Sequence, residues 1–446
     1  MKNFSHRMSR RDFLKLAGLG ATAGLLASCA PAVPQEVSED GPSLTGEIGG
    51  KLTVWGWANP WLKATSELFV KQHPNVTFDF VDMSWQDTHQ KFAVASSAGT
   101  GAPDVLSIDG AQLQNMVYTG GLLNITEVMK DQVKNFPEYK IAEASDDKGN
   151  IYAVPWDIGP ISLFYRKDIF EANDVVPPET WDEYIAIGQK LAAKGSYMMS
   201  LSLTTPNPQD VSFFQKLLWQ AGGSYFDRAT GAVILDNEAG LKAMDMYAKI
   251  AFSGITIDVP PFTPAWFGAW KEDKLVTEPG AGWMLHVFID NVKEGDNGFG
   301  QWRIADYLPA FEKGGTPTSN LGGSNVAVTT QTKNAATAVA YALFTCASAD
   351  GQVTMANMGT FPSFYPAYQD ERMLNETAGV YGDQKFNQPF INLSSKVPTT
   401  YWRDRLFPQA DVIVNAGLIH ILEKKWTPEE GIKNIANNIR TATLRP

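Results

Sequence analysis

Between Gly149 and Phe170 the chain reads G-N-I-Y-A-V-P-W-D-I-G-P-I-S-L-F-Y-R-K-D-I-F, and no other stretch constrains the fold as strongly. Two apolar runs of strand length, Ile151–Val154 and Ile161–Tyr165, are separated by Pro155, Trp156, Asp157, Gly159 and Pro160. Proline fixes φ and lacks a backbone donor, and glycine reaches conformations other residues avoid, so one straight strand cannot run through. The break sets an indole beside a carboxylate. Two readings are open: the chain crosses here between two lobes and presents Trp156 and Asp157 to a ligand, or Trp156 is a buried side chain in an ordinary β-bend.

The segment before it alternates strand and helix patterns. Lys51–Trp57 is a strand, a helix runs through Trp61–Gln72, Val76–Val81 is a second strand, Trp85–Ser97 is helical, and Ala102–Asp109 is a third strand entered through Pro103. Such alternation predicts an α/β architecture with a mainly parallel sheet flanked by helices. Ligands of such sheets bind beyond the carboxyl ends of the strands, where Trp55, Trp57, Asp82 and Asp109 fall. A Trp at a strand end also serves well as plain core.

Farther on, Thr180 and Glu183 form a capping box before a helix to Ala193, and helices are expected at Phe213–Ala221 and Asp236–Phe252. Val259–Gly282 reads as irregular and ends by delivering Trp283 after glycines. A second break like the first, Asn320–Val328, places glycines before an apolar strand, and a helix with a buried Cys346 follows to Ala347. Met358–Tyr368 is an aromatic loop, Pro398–Trp402 precedes a long helix, and Thr427 with Pro428 starts the last one.

The first residues carry addresses rather than fold. Ser9-Arg10-Arg11-Asp12-Phe13-Leu14-Lys15 is a twin-arginine export pattern, and Leu26-Ala27-Ser28-Cys29 resembles the lipobox of bacterial lipoproteins. Residues 1–28 are expected to be a signal peptide, Cys29 the lipidated residue, and 29–49 a flexible tether with a reach of about 25 Å. No other apolar run is long enough to span a bilayer, so the lipid is the one expected membrane attachment, on the extracytoplasmic side. The formal charge is −11. Residues 1–28 are basic, so the mature chain is more acidic still, which disfavours nucleic acid and anionic lipid. With 19% charged and 44% hydrophobic residues, the body is globular.

Taken together, G-N-I-Y-A-V-P-W-D…F-Y-R-K-D-I-F, P-P-E-T-W-D-E-Y, G-T-G-A-P-D-V-L and E-P-G-A-G-W resemble the extracellular solute-binding proteins of ABC importers, in the sugar-binding branch that includes maltose-binding protein. The resemblance spans Lys51 to Thr443. It implies a two-lobed periplasmic-binding-protein fold of type II joined by hinge crossings. Lobe one would be 50–154 plus 324–348, and lobe two 155–323 plus 349–446. It implies capture of a sugar or oligosaccharide between the lobes and delivery to permease subunits by a monomer, with no catalysis, cofactor or metal. Positions matching the family's sugar contacts are Asp109, Trp156, Asp157, Trp283, Tyr401 and Trp402. A looser match holds at Trp57, Asp82, Ser324 and Phe364. Asp273-Lys274-Leu275-Val276-Thr277 departs from the family's pattern just before Trp283.

The residue types fit that chemistry independently. Sugar rings present apolar C–H faces and hydroxyl rims, so a site needs flat aromatics and carboxylate acceptors. Hydrogen bonds to charged acceptors contribute roughly 1.5–3 kcal/mol each, so a few suffice for micromolar binding, about −8 kcal/mol. Two rivals remain at this stage. One is a secreted polysaccharide-degrading enzyme, although the acid pairs Asp146-Asp147 and Glu429-Glu430 look like a loop and a helix start. The other is the same scaffold with a non-sugar solute such as a peptide, a polyamine or a chelated metal. The five histidines show no metal-ligand spacing.

Overall fold

The computed structural model describes residues 43–201 and 208–446. The twin-arginine pattern, Cys29 and most of the expected tether lie outside the described residues. The end of the tether is pinned: Gly49 donates its N–H to Thr337 Oγ1 at 3.0 Å, and that hydroxyl donates to the Gly49 carbonyl.

The first lobe is built on a five-stranded sheet in the order β2-β1-β3-β10-β4. Its strands are β1 (Gly50–Gly56), β2 (Val76–Asp82), β3 (Val105–Asp109), β4 (Ala153–Pro155) and β10 (Ser324–Val328). Leu52 and Val54 alternate with half-exposed neighbours on β1, whereas β3 and β10 sit mid-sheet and are buried almost throughout. Three helices follow these strands: α1 (Asn59–Gln72), α2 (Trp85–Ala98) and α3 (Gly110–Tyr118). Ser84 and Asp109 accept the backbone N–H groups at the starts of α2 and α3, so Asp109 is both the end of β3 and a helix cap. A short helix, α4 (Glu138–Glu143), precedes β4.

The second lobe carries β5 (Ile161–Arg166), β6 (Met199–Ser200), β7 (Thr256–Ile257), β8 (Thr277–Ala281) and β9 (Trp302–Ile304). β5 lies between β8 and β9, antiparallel to both. β6 and β7 pair in parallel, and a parallel bridge from Tyr197 to Leu275 joins them to β8. Around it stand α5 (Trp181–Ala192), α6 (Pro208–Gln220), α7 (Glu238–Ala251), α8 (Pro264–Lys271) and α9 (Met284–Asn291). The chain closes with α10 (Ala335–Cys346), α11 (Ala349–Ala356), α12 (Phe407–Leu422) and α13 (Pro428–Thr443). Thr180 with Glu183 and Thr427 with Glu430 form complete capping boxes on α5 and α13.

Each lobe has one strand that runs against the others, and the reason is the crossing itself. β1, β2, β3 and β4 all end at the same edge, and β10 starts there, opposite Asp109 and Pro155. β8 ends beside Ile161, where β5 begins. A strand that has just crossed starts at the shared edge and must run away from it, so β5 and β10 are the reversed strands.

Segment 259–282, expected to be irregular, is not. Pro264 occupies the first turn of α8 behind a Thr263 cap, and Thr277–Ala281 is a strand held by β5 despite Pro279 and Gly280. Pro at the first helical position is favourable, which a reading of proline as a breaker overlooks.

Two crossings run side by side. Leu321 donates to the Gly159 carbonyl at 2.8 Å, Trp156 to the Ser324 carbonyl at 3.0 Å, and Ile161 to the Ser319 carbonyl at 3.2 Å. Gly159 is required here, because a Cβ would stand 1.8 Å from the Leu321 carbonyl oxygen. A third segment joins them: Ile158 donates to the Phe361 carbonyl and Ser363 to the Trp156 carbonyl. The expected switch after Ser348 therefore comes later. Met355 of α11 and Phe364 belong to the first core, and Phe361 to the second. Trp156, expected at the start of lobe two, also packs in the first core. Among the described residues no helix is long and apolar enough to cross a membrane.

Candidate functional site

Where the strand ends of the two lobes face each other, a cavity of about 550 Å³ opens. Six of the ten residues singled out from sequence line it: Trp57, Asp109, Trp156, Asp157, Trp283 and Ser324. The other four are not among the lining residues. Asp82 ends β2 at the sheet's outer edge, where it accepts from Asn59 Nδ2 at 2.8 Å and pairs with Lys63 at 3.0 Å. Those two hydrogen bonds hold its carboxyl below the usual range. Phe364 packs on Phe136 in the first core. Tyr401 stands edge-on to Trp219 and Tyr139 and donates to the Gly322 carbonyl. Trp402 is buried with the Arg228 guanidinium 4.9 Å above its ring. Phe364 and Tyr401 belong to the lobes' cores, Trp402 is buried outside both, and none of the three is part of the cavity wall.

The first lobe's wall is aromatic. The ring of Trp57, just past β1, lies 5.1 Å from the imidazole of His89, and Trp85 lies 4.7 Å from it on the other contact. His89 is fixed by two hydrogen bonds: Nδ1 donates to the Trp85 carbonyl (2.7 Å), and Nε2 accepts the Asp109 N–H (3.1 Å). An N–H donor on Nε2 requires the neutral ring, and burial accordingly lowers the pKa of His89. Trp156 is 3% exposed, packs 5.8 Å from Trp61, and has an indole N–H with no protein acceptor. Trp61 donates its own indole N–H to the Met358 carbonyl.

The second lobe contributes one helix face and one loop. Trp283, His286, Val287 and Asp290 recur at helical spacing along α9 and all line the cavity. Trp283 donates its indole N–H to the Leu321 carbonyl at 3.0 Å, which fixes its ring against the second crossing. Phe262 stacks on it, centroids 6.1 Å apart and planes at 26°. The backbone of Phe262 has φ of 61°, a costly conformation for a bulky side chain, and its ring is 42% exposed.

Behind the wall lies a buried set of charges. Asp157 Oδ1 accepts the Ser324 N–H at 2.6 Å, and burial pushes the carboxyl up to about 6 against the pull of the Lys140 ammonium. Lys140, fully buried, binds Glu143 at 2.6 Å and donates to the Ser324 carbonyl at 3.3 Å. Arg403, reaching from the second lobe, approaches Asp109 at 3.4 Å and Glu143 at 3.7 Å and donates to the Gly322 carbonyl. Gly323 lets these groups converge, with φ of 104° and its open side facing the Asp157 carbonyl and Lys140. Removing one member of such a set leaves an uncompensated buried charge, at a cost of roughly 3–5 kcal/mol. Asp109 and Asp157 are thus preorganised carboxylates, each already anchored to backbone N–H groups.

Sequence reasoning missed Trp61, Trp85, Phe262, His286 and Asp290. The α9 stripe was legible as positions 283, 286, 287 and 290 on one helical face. Phe262 was not, because its placement depends on a strained backbone.

Comparison with known proteins agrees with the two-lobed fold. The chain is 28% identical over 297 residues to the lactose-binding protein of Rhizobium radiobacter, covering 63% of this chain and 67% of that one. It is 21% identical over 387 residues to the arabinooligosaccharide-binding protein of Bacillus subtilis (strain 168), covering 83% and 86%. Its fold matches the ABC transporter associated binding protein from B. animalis subsp. lactis Bl-04, solved in complex with beta-1,6-galactobiose. That match has a TM-score of 0.72 at 23% identity and covers 88% of this chain and 97% of that one. Residues 64–378 match the family model described as bacterial extracellular solute-binding protein, and the chain belongs to that family.

Proposed function

We propose that the protein captures a sugar or short oligosaccharide in the cleft between its lobes and delivers it to the permease of an ABC transporter. The observation that carries this reading is the cavity wall, in which Trp57, Trp283 and Phe262 offer flat apolar faces beside the anchored carboxylates of Asp109 and Asp157. Ring faces stack on aromatics while hydroxyls donate to the carboxylates, and each carboxylate contact is worth about 1.5–3 kcal/mol. The names of the relatives above favour the same ligand class.

The way the acids are held supports binding without turnover. Asp109 caps α3, and Asp157 is tied to Ser324, so both act as fixed acceptors. A lipid on Cys29, after twin-arginine export, would hold the body to the outer face of the cytoplasmic membrane, where the permease sits. Each lobe touches part of the ligand, so ligand binds the closed state better and shifts the protein towards it. A thermal-shift screen against neutral mono- and disaccharides tests the reading: at least one sugar should raise the midpoint and be recovered intact. No shift with any sugar, or new reducing ends, overturns it.

A further inference from the structure

The charges around the cleft are arranged unevenly. Among the described residues lining the cavity the ionisable side chains are Asp109, Asp157, Asp290 and His286, and none is Lys or Arg. The cations that neutralise the first two lie behind them. Lys140 is fully buried against Glu143, and Arg403 is 4% exposed among Tyr401, Trp219 and Phe407. Neither can turn outward without giving up a buried carboxylate. Asp290 has no such backing: its one ion pair, with Lys293 at 3.8 Å, is open to water on both sides. His286 is held towards its neutral form by burial, so it supplies no positive charge near neutral pH. The ring of Trp156, 3% exposed, is part of the same wall and adds no charge to it.

We propose that the cleft selects against acidic sugars: its ligand carries no carboxylate or phosphate, and Asp290 is the residue on the second lobe that enforces the choice. This rests on the sugar-binding reading and deepens it. A uronate seated on these aromatics would bring its carboxylate towards Asp109 and Asp157 in a cavity walled by rings, where like charges are poorly screened, and past Asp290 at the water-exposed rim, where salt weakens the repulsion. Among the described residues no lining cation offers the two parallel donors that carboxylates and phosphates are bound by elsewhere. Asp157, already pushed up by burial and by its neighbours Asp109 and Glu143, would be forced to take up a proton to admit the anion. A neutral hydroxymethyl group at the same place meets only acceptors.

Calorimetry on the full soluble body tests this with maltose, cellobiose and β-1,4-galactobiose, each beside the disaccharide whose non-reducing C6 is a carboxylate. For any neutral sugar that binds, its uronate partner is expected to bind at least tenfold more weakly at pH 7.5. That ratio should shrink at least threefold in Asp290→Asn and shrink again at high salt. A uronate that binds as tightly as its neutral partner overturns the charge selection and leaves sugar binding standing. A ratio unchanged in Asp290→Asn overturns the role of that residue. If none of the three pairs binds, the comparison is made with the sugar that raises the midpoint and its uronate, and if no sugar raises it the sugar reading fails and this inference fails with it.

Discussion

Asp157 and Ser324 tie the two crossings into one unit: the carboxylate of the first accepts the backbone N–H of the second at 2.6 Å. Burial lifts the pKa of this carboxyl from 3.8 to about 6. An acid raised on folding adds stability that is full below its unfolded value and is lost as pH rises through the folded one. Asp157 therefore costs stability progressively between pH 3.8 and about 6, on the order of 3 kcal/mol at most. Asp157→Asn keeps an oxygen for Ser324 and removes the titration. Its thermal midpoint should vary less with pH across that window than the wild type's. Parallel profiles would show that the carboxylate is not buried as described.

Trp283 and Trp402 were expected from sequence to do the same work, and the structure separates them. Trp283 lines the cavity half-exposed, so Trp283→Ala should weaken sugar binding tenfold or more with little change in midpoint. Trp402→Ala should instead lower the midpoint, because the residue is 8% exposed and outside the lining. Trp156 stands between: at 3% exposure in the first core, Trp156→Ala should cost about 3–5 kcal/mol in addition to any loss of binding. Denaturation curves beside titrations distinguish the three.

Phe262 holds its ring beside Trp283 from a left-handed backbone. Phe262→Gly removes ring and strain together. Binding should weaken several-fold while the midpoint stays level or rises, since the strain relieved is of order 1–3 kcal/mol. A lower midpoint with binding unchanged would mean the ring packs for stability alone.

The paired breaks around Trp156 and Gly322 were legible because proline and glycine punctuate apolar runs in a way few other arrangements explain. The same punctuation misled at 259–282, where Pro264 starts a helix and Pro279 sits within a strand. At the site, Asp109 and Trp57 could be placed because strand ends face the cleft. Phe364, Tyr401 and Trp402 could not be told from core aromatics, since burial depends on what the other lobe brings against them. The buried charges are farther from sequence still. Lys140 is a surface residue by composition, and only the meeting of α4, β10 and the segment carrying Arg403 encloses it.

The proposed membrane attachment has its own test. Cys29→Ala should move the protein from the membrane pellet to the soluble extracytoplasmic fraction. Arg10→Lys combined with Arg11→Lys should keep it inside the cell. A protein that still pellets with membranes after Cys29→Ala would show that the attachment does not depend on a lipid at that position.

The central claim is that a sugar binds between the lobes on Trp283, and calorimetric titration of wild type and Trp283→Ala with the sugar that raises the midpoint tests it most directly. A single site of micromolar affinity, weakened at least tenfold by the substitution with the sugar recovered unchanged, is the expected result. Equal affinity in both proteins would place the ligand elsewhere and contradict the account.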